Sequence, residues 1–577
     1  MTQQKTRPLW QANIQQGSSR QACPELLALC TIFALLASAP SVWAQQPPSA
    51  GSQLQQIPQA PGLPPKAPDI LIEQDKQAPL PLSNQTGVRV NTLRITGAQA
   101  FTEATLLEAS GFKPQGVMTL ADLRALADRV SAYYQARGYF VAQAYLPAQD
   151  IKDGLVTLAV LEGRYGAVTI RNETRLKDSV VTGLTEPAPN DAVTIAPLER
   201  SLLLLNDLPG VQVRSTLTPG ASVGSSDLVL DVVPGPLVSG SVDGDNHGNR
   251  YTGRSRIGGS LNVNNPLGYG DVASLRLLTS GGGLNYARAA YQGQVERAKV
   301  GVAYARLDYK LGKEFDSLQA HGTAGIASVY GNYPLLRSRQ SNLSVQLAFD
   351  SKRLHDRVDA TSTSQKKKLQ VLMLSLQGDH RDSLAGPAVN TYSVTATAGH
   401  IDLQNPAARA ADASSARTQG SYSKLGFNLT RLQSVGASTQ FHAAASGQVA
   451  SRNLDISEKM PLGGANAVRA YPEGESYGDR GFVLTLEARH TLPVANTVAG
   501  QVQLVGFIDT GAVTFSRNPW VAGANTRQLS GAGVGLNWSV GDAFFVKAFY
   551  AHKLGSEPAT SAPDASGRFW VQAVKYF

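Results

Sequence analysis

Cysteine is nearly absent from this chain: the two present, Cys23 and Cys30, both fall in the first 44 of 577 residues. Those 44 residues read as a signal peptide. Lys5, Arg7 and Arg20 make a basic leading region, Leu26 to Ala37 an apolar one, and Ser41-Val42-Trp43-Ala44 a cleavage site before Gln45. Leu29, just before Cys30, is too large for the usual lipid-attachment signal. The remaining chain then carries no thiol. That excludes disulfide scaffolds, cysteine-ligated metal and thiol catalysis, and suits passage through an oxidising compartment.

Long apolar runs are missing as well. No stretch of about 18 apolar residues follows the signal, so no helical membrane span is expected. Charge of one sign is modest, +9 over the whole chain, and no compact basic stripe is interleaved with aromatics, which argues against nucleic acid. The run Lys366-Lys367-Lys368 reads as a solvated loop or strand end. There is no Gly-x-x-x-x-Gly-Lys-Ser/Thr phosphate loop, no Gly-x-Ser-x-Gly elbow and no His-Glu-x-x-His pair. The eight histidines, among them His380, His400, His442 and His490, are scattered. No enzyme activity, metal or cofactor is expected.

What is present falls into segments. Residues 45–87 are a Pro- and Gln-rich linker unable to bury a core. Residues 88–163 read as a small α+β unit. It runs through a strand at Val90 to Ile95, a helix at Thr102 to Ala109, and a longer helix capped by Thr119 with Asp122 and closed by Gly138. Two strands follow, Phe140 to Leu146 and Leu155 to Leu161. Residues 164–237 repeat that element order with different residues. From Val238 helical periodicity fades into segments of about 8–12 residues alternating apolar with small or polar ones. The clearest is Leu343 to Asp350; Leu425 to Leu429, Phe482 to Ala488, Val502 to Leu504 and Phe569 to Ala573 behave alike. Sixteen strands of about ten residues need only about 160 residues, so 238–577 has length for a closed transmembrane barrel and its connections. Aromatics gather in the last segment as in an interfacial girdle, and the chain ends on Phe577, like a barrel-assembly signal.

Three stretches carry a family resemblance. The first is Tyr133-Tyr134-Gln135-Ala136-Arg137-Gly138-Tyr139 with Ala144-Tyr145-Leu146-Pro147-Ala148-Gln149, Gly154 and Glu162-Gly163. The second is Asn264-Asn265-Pro266-Leu267-Gly268-Tyr269-Gly270-Asp271. The third is Gly463-Gly464 with Val468-Arg469-Ala470-Tyr471, then Phe507-Ile508-Asp509. Together they resemble the outer-membrane transporters of two-partner secretion, the class of haemolysin and filamentous-haemagglutinin exporters. The resemblance runs from about Val88 to Phe577 and implies an all-β membrane fold: a 16-stranded antiparallel barrel behind two periplasmic POTRA domains. A loop at 457–481 would fold inward, its Arg469 pairing with Asp509 on the barrel wall. Alternation supports this by placing Phe507 and Asp509 on one face and Leu504, Gly506 and Ile508 on the other. In a hydrated lumen the pair is expected to matter more to secretion than to stability.

Two departures stand out. Ala470 replaces the usual glycine, so a positive φ there would be strained. The family's plug helix has one candidate, Ser49 to Ala60, short and containing Pro58, so a shorter or weakly docked plug is expected. The implied function is capture and export of a large secreted exoprotein of haemolysin, adhesin or contact-dependent toxin type. Barrel-assembly machinery, periplasmic chaperones and the lipid bilayer are the other expected partners. The rival reading, a factor that inserts other barrels, usually needs more than two POTRA domains.

Overall fold

The computed structural model describes residues 47–58, 72–73, 87–493 and 499–577. The signal peptide of 1–44 and most of the 45–87 linker lie outside the described residues. The first element is a short helix, α1 (Ala50–Gln55), and two small α+β domains follow.

In the first domain α2 (Glu103–Ser110) and α3 (Leu120–Ala136) cover a three-stranded sheet. Leu155–Leu161 is its centre, with Thr92–Thr96 parallel on one side and Gln143–Tyr145 antiparallel on the other. Helix α3 starts where the Thr119 hydroxyl accepts the Asp122 N–H and the Asp122 carboxylate accepts the Thr119 N–H at 2.8 Å, satisfying donors a helix start leaves open. Helical spacing then stacks Leu123, Leu126, Val130 and Tyr134 on the alternating residues Val156, Leu158 and Val160. Gly138, at φ +91°, closes the helix in a conformation other residues adopt only with strain. The strand expected over Phe140 to Leu146 shrinks to Gln143–Tyr145. A turn closes from Ala142 N–H to the Tyr139 carbonyl, and Phe140 and Val141 pack against the core of the second domain.

The second domain runs Arg164–Asn172, α4 (Asp178–Leu184), α5 (Ile195–Asn206), Val211–Pro219 and Ser225–Pro234. Ser225–Pro234 is central, parallel to Arg164–Asn172 and antiparallel to Val211–Pro219. On the open edge of Val211–Pro219 the segment Ile72–Glu73 adds in parallel, opposite Ser215 and Thr216.

The barrel closes with sixteen antiparallel strands in sequence order. They are β1 (Val238–Asp245), β2 (Arg256–Asn264), β3 (Val272–Thr279), β4 (Leu284–Val295), β5 (Ala298–Lys310), β6 (Ala320–Arg337), β7 (Ser341–Val358) and β8 (Thr363–Asp382). The series continues with β9 (Ala388–Leu403), β10 (Gly420–Val435), β11 (Thr439–Ala450), β12 (Arg480–Thr491), β13 (Gln501–Thr514), β14 (Thr526–Val540), β15 (Phe544–Lys553) and β16 (Gly567–Tyr576). Closure runs from Ser241 opposite Tyr576 to Asp245 opposite Gln572. Outward positions such as Leu347, Phe349, Leu372, Leu374, Leu484 and Leu486 are exposed apolar side chains, the belt a bilayer requires of a barrel that has no free edge. Among the described residues no helix is long and apolar enough to cross a membrane.

The lysine run departs from its reading as a solvated loop or strand end. It lies within β8, where the two-residue period turns Lys367 inward to Asp455 at 2.7 Å and leaves Lys366 and Lys368 outside.

Candidate functional site

The residues of the first POTRA motif build that domain and its joint with the next. Arg137 lies 3.4 Å over the Tyr133 ring, and Tyr139 meets Phe101 and Tyr134 edge-on, each at 5.7 Å. Glu162 is buried and accepts the N–H groups of Gln99 (2.6 Å) and Ala100 (2.7 Å) and the Tyr134 hydroxyl (2.8 Å). Burial and that carboxylate push the Tyr134 phenol up, so it stays a donor. Gln149 behaves as a one-residue strand: its amide accepts from Thr157 N–H and donates to the Thr157 carbonyl, both at 2.8 Å. The Gly154 carbonyl accepts from Asn91 and Thr92. Those of Gly138 and Gly163 accept the N–H groups of Ile195 (2.9 Å) and Val193 (3.0 Å), fastening the first domain to the start of α5. Leu146 packs on the core, and Tyr145 stays exposed beside Pro147.

The second motif is the turn on which the second domain docks. Buried Asp271 accepts from Leu267 and Tyr269 N–H and from the Tyr291 hydroxyl (2.8 Å), which shapes the turn from Asn264 to Asp271. The Gly268 carbonyl then accepts Lys177 N–H at 2.9 Å, and Lys177 Nζ lies 3.7 Å from the Tyr269 ring centre. Nearby, Arg337 at the end of β6 forks onto Asp207 through two 2.7 Å bonds.

The third motif lies in the lumen. The connection between β11 and β12, residues 451–479, folds inward; it begins earlier and ends sooner than the expected 457–481. Its first part crosses to the wall of β7, β8 and β10, where Lys352 and Lys424 bind Glu458 at 2.7 and 3.0 Å and Lys367 binds Asp455. Its tip rests on the opposite wall. Arg469 Nε and Nη2 donate to the two oxygens of Asp509 on β13, each at 2.8 Å, and Arg469 N–H adds a third bond at 3.2 Å. Arg469 Nη1 reaches Glu487 on β12 at 2.8 Å, and the guanidinium lies 3.5 Å over the Phe507 ring. Arg489 holds the other Glu487 oxygen, and Thr485 donates to Asp509 at 2.9 Å. Arg469 is 5% exposed and Asp509 0%. The expectation of a well-hydrated pair is corrected on this point: the loop itself, with Val468, Ala470 and Tyr471 all buried, seals the lock from water.

Ala470 also behaves differently from expectation. It does not have a positive φ, so no strain arises, and its methyl fits over Gly531 on β14, where a second methyl would collide with it. The Tyr471 hydroxyl donates to the Glu557 carbonyl at 3.1 Å.

Helix α1 and the last strand complete the lumen. Helix α1 ends before Pro58 and is capped by Ser49, whose hydroxyl faces Ser52 N–H. Its Ala50 N–H donates to Asp356 on β7 at 2.7 Å, Arg256 on β2 donates to the Gln56 carbonyl at 2.9 Å, and Gly51 packs on Ser457 of the inward loop. After the last strand, Phe577 exchanges two backbone bonds with Gly240 across the closing seam. Trp570, assigned from sequence to an interfacial girdle, instead points inward and donates to the Arg469 carbonyl at 2.6 Å, while Phe569 faces out.

Sequence reading missed Glu487, Trp570 and Gly531. Glu487 falls on the polar phase of the Phe482 to Ala488 alternation, a usable signal for a lumen residue, but its register against Asp509 comes only from the β12–β13 pairing of Thr485 with Asp509. Among the described residues no group of acids, histidines and cysteines is placed to hold a metal ion.

A family model described as haemolysin secretion/activation protein ShlB/FhaC/HecB matches residues 224–538, and one for the ShlB-type POTRA domain matches residues 88–163. The chain is 29% identical over 470 residues to the heme/hemopexin transporter protein HuxB of Haemophilus influenzae, covering 80% of this chain and 82% of that protein. It is 25% identical over 427 residues to the outer membrane transporter CdiB of Dickeya dadantii, covering 70% and 73%. Among solved structures, CdiB from Escherichia coli superposes with a TM-score of 0.67 at 20% identity, over 96% of this chain and 97% of that one. CdiB from Acinetobacter baumannii gives 0.60 at 19%, over 96% and 98%.

Proposed function

Since the chain belongs to the ShlB/FhaC/HecB family of haemolysin secretion/activation proteins, we propose that its POTRA domains capture one large exoprotein in extended form and its barrel passes that protein outward. The barrel lies in the outer membrane and the POTRA domains in the periplasm. The partner is proposed to be of haemolysin, adhesin or contact-dependent toxin type, encoded beside the transporter. Folding outside prevents its return, and no nucleotide is hydrolysed. Barrel-assembly machinery and periplasmic chaperones serve the transporter's own insertion.

One observation carries the capture step: the second POTRA sheet accepts an added strand. Ile72–Glu73 pairs in parallel with Ser215 and Thr216, and an extended client adding there gains main-chain hydrogen bonds before it folds. Asn206 caps this strand at Val213, so the client adds from Ser215 onward by displacing Ile72–Glu73; the first domain's sheet edges are capped too. Glu103 takes the Ile95 N–H at 2.9 Å and Ser131 the Ala144 N–H at 2.8 Å. The strand paired at Ser215 and Thr216 favours the second domain for strand addition and leaves the first to position it.

The absence of thiols beyond the signal makes the test clean. With Thr216→Cys, a cysteine scanned through the exoprotein's amino-terminal domain should form mixed disulfides at alternate positions, whereas Arg171→Cys on the far strand should not. Equal cross-linking at both sites, or none at Thr216→Cys while secretion proceeds, would refute strand addition at this edge.

A further inference from the structure

The outer face of β7 and β8 carries a charge pattern that lies outside the lumen site described above. Strand β7 leaves the POTRA end of the barrel, next to the Arg337–Asp207 contact, so its later half lies at the external end. Moving outward from the apolar pair Phe349 and Leu372, the facing pairs become Ser351 with Gln370, Arg353 with Lys368, and His355 with Lys366. Arg357 follows one row further out, and Arg353, Arg357, Lys366 and Lys368 are all exposed. Like charges directly opposite on antiparallel strands destabilise a sheet. Here none of the four cations has an ion pair among the described residues. The acid beside Lys368 in register, Asp402, is taken by Arg409 at 2.8 Å, and Asp359 of the adjoining turn lies 3.7 Å from His321.

An uncompensated cationic cluster directly above a lipid-facing apolar belt calls for an anion presented at that height. A phosphorylated lipid headgroup meets the requirement of charge, of level and of continuous supply along the wall; a soluble acidic segment meets only the first. We propose that this patch binds the phosphates of a phosphorylated glycolipid of the outer leaflet, with its acyl chains on Phe349, Leu372 and Leu374. Arg353 and Arg357 present forks that suit phosphate oxygens. The stems of all four side chains can lie down along the belt while their heads stay at the headgroup level.

The test uses the full chain in nanodiscs with bis-phosphorylated lipid A, dephosphorylated lipid A or phosphatidylglycerol, bound lipid being counted by native mass spectrometry. Wild type should retain bis-phosphorylated lipid A at least tenfold better than either other lipid. Arg353→Gln with Arg357→Gln, Lys366→Gln and Lys368→Gln should abolish that preference, while Lys575→Gln, outward on β16 near the POTRA end, should keep it. Should the fourfold variant lose heat-modifiable migration, the pairs R353Q/K368Q and R357Q/K366Q replace it, each expected to lower retention severalfold. Equal retention of dephosphorylated lipid A, equal retention of phosphatidylglycerol, or full retention by the variants overturns the proposal. So does loss of secretion with lipid retention unchanged, which would assign the patch to the exported protein.

Discussion

Arg469→Ala should destabilise the barrel, and not merely impair secretion. The lost side chain makes two charge-assisted bonds to Asp509 and one to Glu487, all at 2.8 Å, each worth about 1.5–3 kcal/mol alone and not additive. The penalty comes from what remains. Glu487 keeps Arg489 at 2.9 and 2.6 Å, whereas among the described residues Asp509 keeps only the Thr485 hydroxyl and the backbone N–H at 469. Breaking a buried pair on one side costs about 3–5 kcal/mol, and the dryness of Asp509 puts this variant in that range. Glu487→Gln should cost less, about 1–2 kcal/mol, and Arg469→Lys should fall between because an ammonium cannot serve both carboxylates in fork geometry. Exchanging charges, Arg469→Asp with Asp509→Arg, places a new carboxylate against Glu487, so recovery needs Glu487→Gln as well. The measurements are urea titration of the folded band on unheated gels, and secretion of the exoprotein at matched membrane levels. Arg469→Ala within about 0.5 kcal/mol of wild type, a range ordinary for surface changes, would refute a dry lock.

Three other outcomes follow from the same contacts. Gly531→Ala should cost about 1–3 kcal/mol by overpacking against Ala470, and Ala470→Gly about 1 kcal/mol for a buried methyl, both read by the same titration. Gln149→Ala removes the paired bonds to Thr157 and should lower the melting stability of the first POTRA domain by about 1–3 kcal/mol without changing the barrel's heat-modifiable band. Asp356→Asn weakens the hold on the α1 amino terminus and should raise single-channel conductance in planar bilayers while the barrel remains folded.

The strands were legible because membrane walls impose a two-residue period, so Leu343 to Asp350 announces its lipid face in one sequence. Helix α3 was legible for the same local reason, through Thr119, Asp122 and Gly138. Pairings were not. Asp509 and Glu487 sit in separate strands and become neighbours only through register, and Trp570 looks like any terminal aromatic until the inward loop presents the Arg469 carbonyl to it. The lysine run misled because three adjacent cations in β8 divide between two environments, one buried against Asp455 and two outside. Ala470 is misleading in sequence because glycine at a loop tip suggests a positive φ, whereas here the backbone is ordinary and the small residue the contact needs is Gly531 on the facing strand.

Among the described residues two elements obstruct the lumen, and their anchors are unequal. The inward loop is tied to both walls by Lys367–Asp455, Lys352 and Lys424 on Glu458, the Arg469 lock, and Arg527 on Glu475 at 2.7 Å. Helix α1 has six residues, far below the roughly 12–15 at which an isolated helix holds in water. Its helicity therefore depends on its sockets, with the Asp356 carboxylate meeting the positive end of the helix and the Arg256 guanidinium the negative end. Once either end lifts, the helix loses the field that keeps it wound, and an unwound segment makes fewer wall contacts still. Undocking and melting of α1 thus form one cooperative step, which makes α1 the obstruction that yields first, while the inward loop keeps its ion pairs. A disulfide between Gly51→Cys and Ser457→Cys, where a Cβ added at Gly51 would lie 2.9 Å from that of Ser457 and need draw back only to the roughly 3.8 Å of a disulfide, ties that step to the loop. It should reduce conductance and exoprotein release together, and a reductant should restore both. Normal release with the disulfide fully formed would show that the exported chain passes α1 without displacing it.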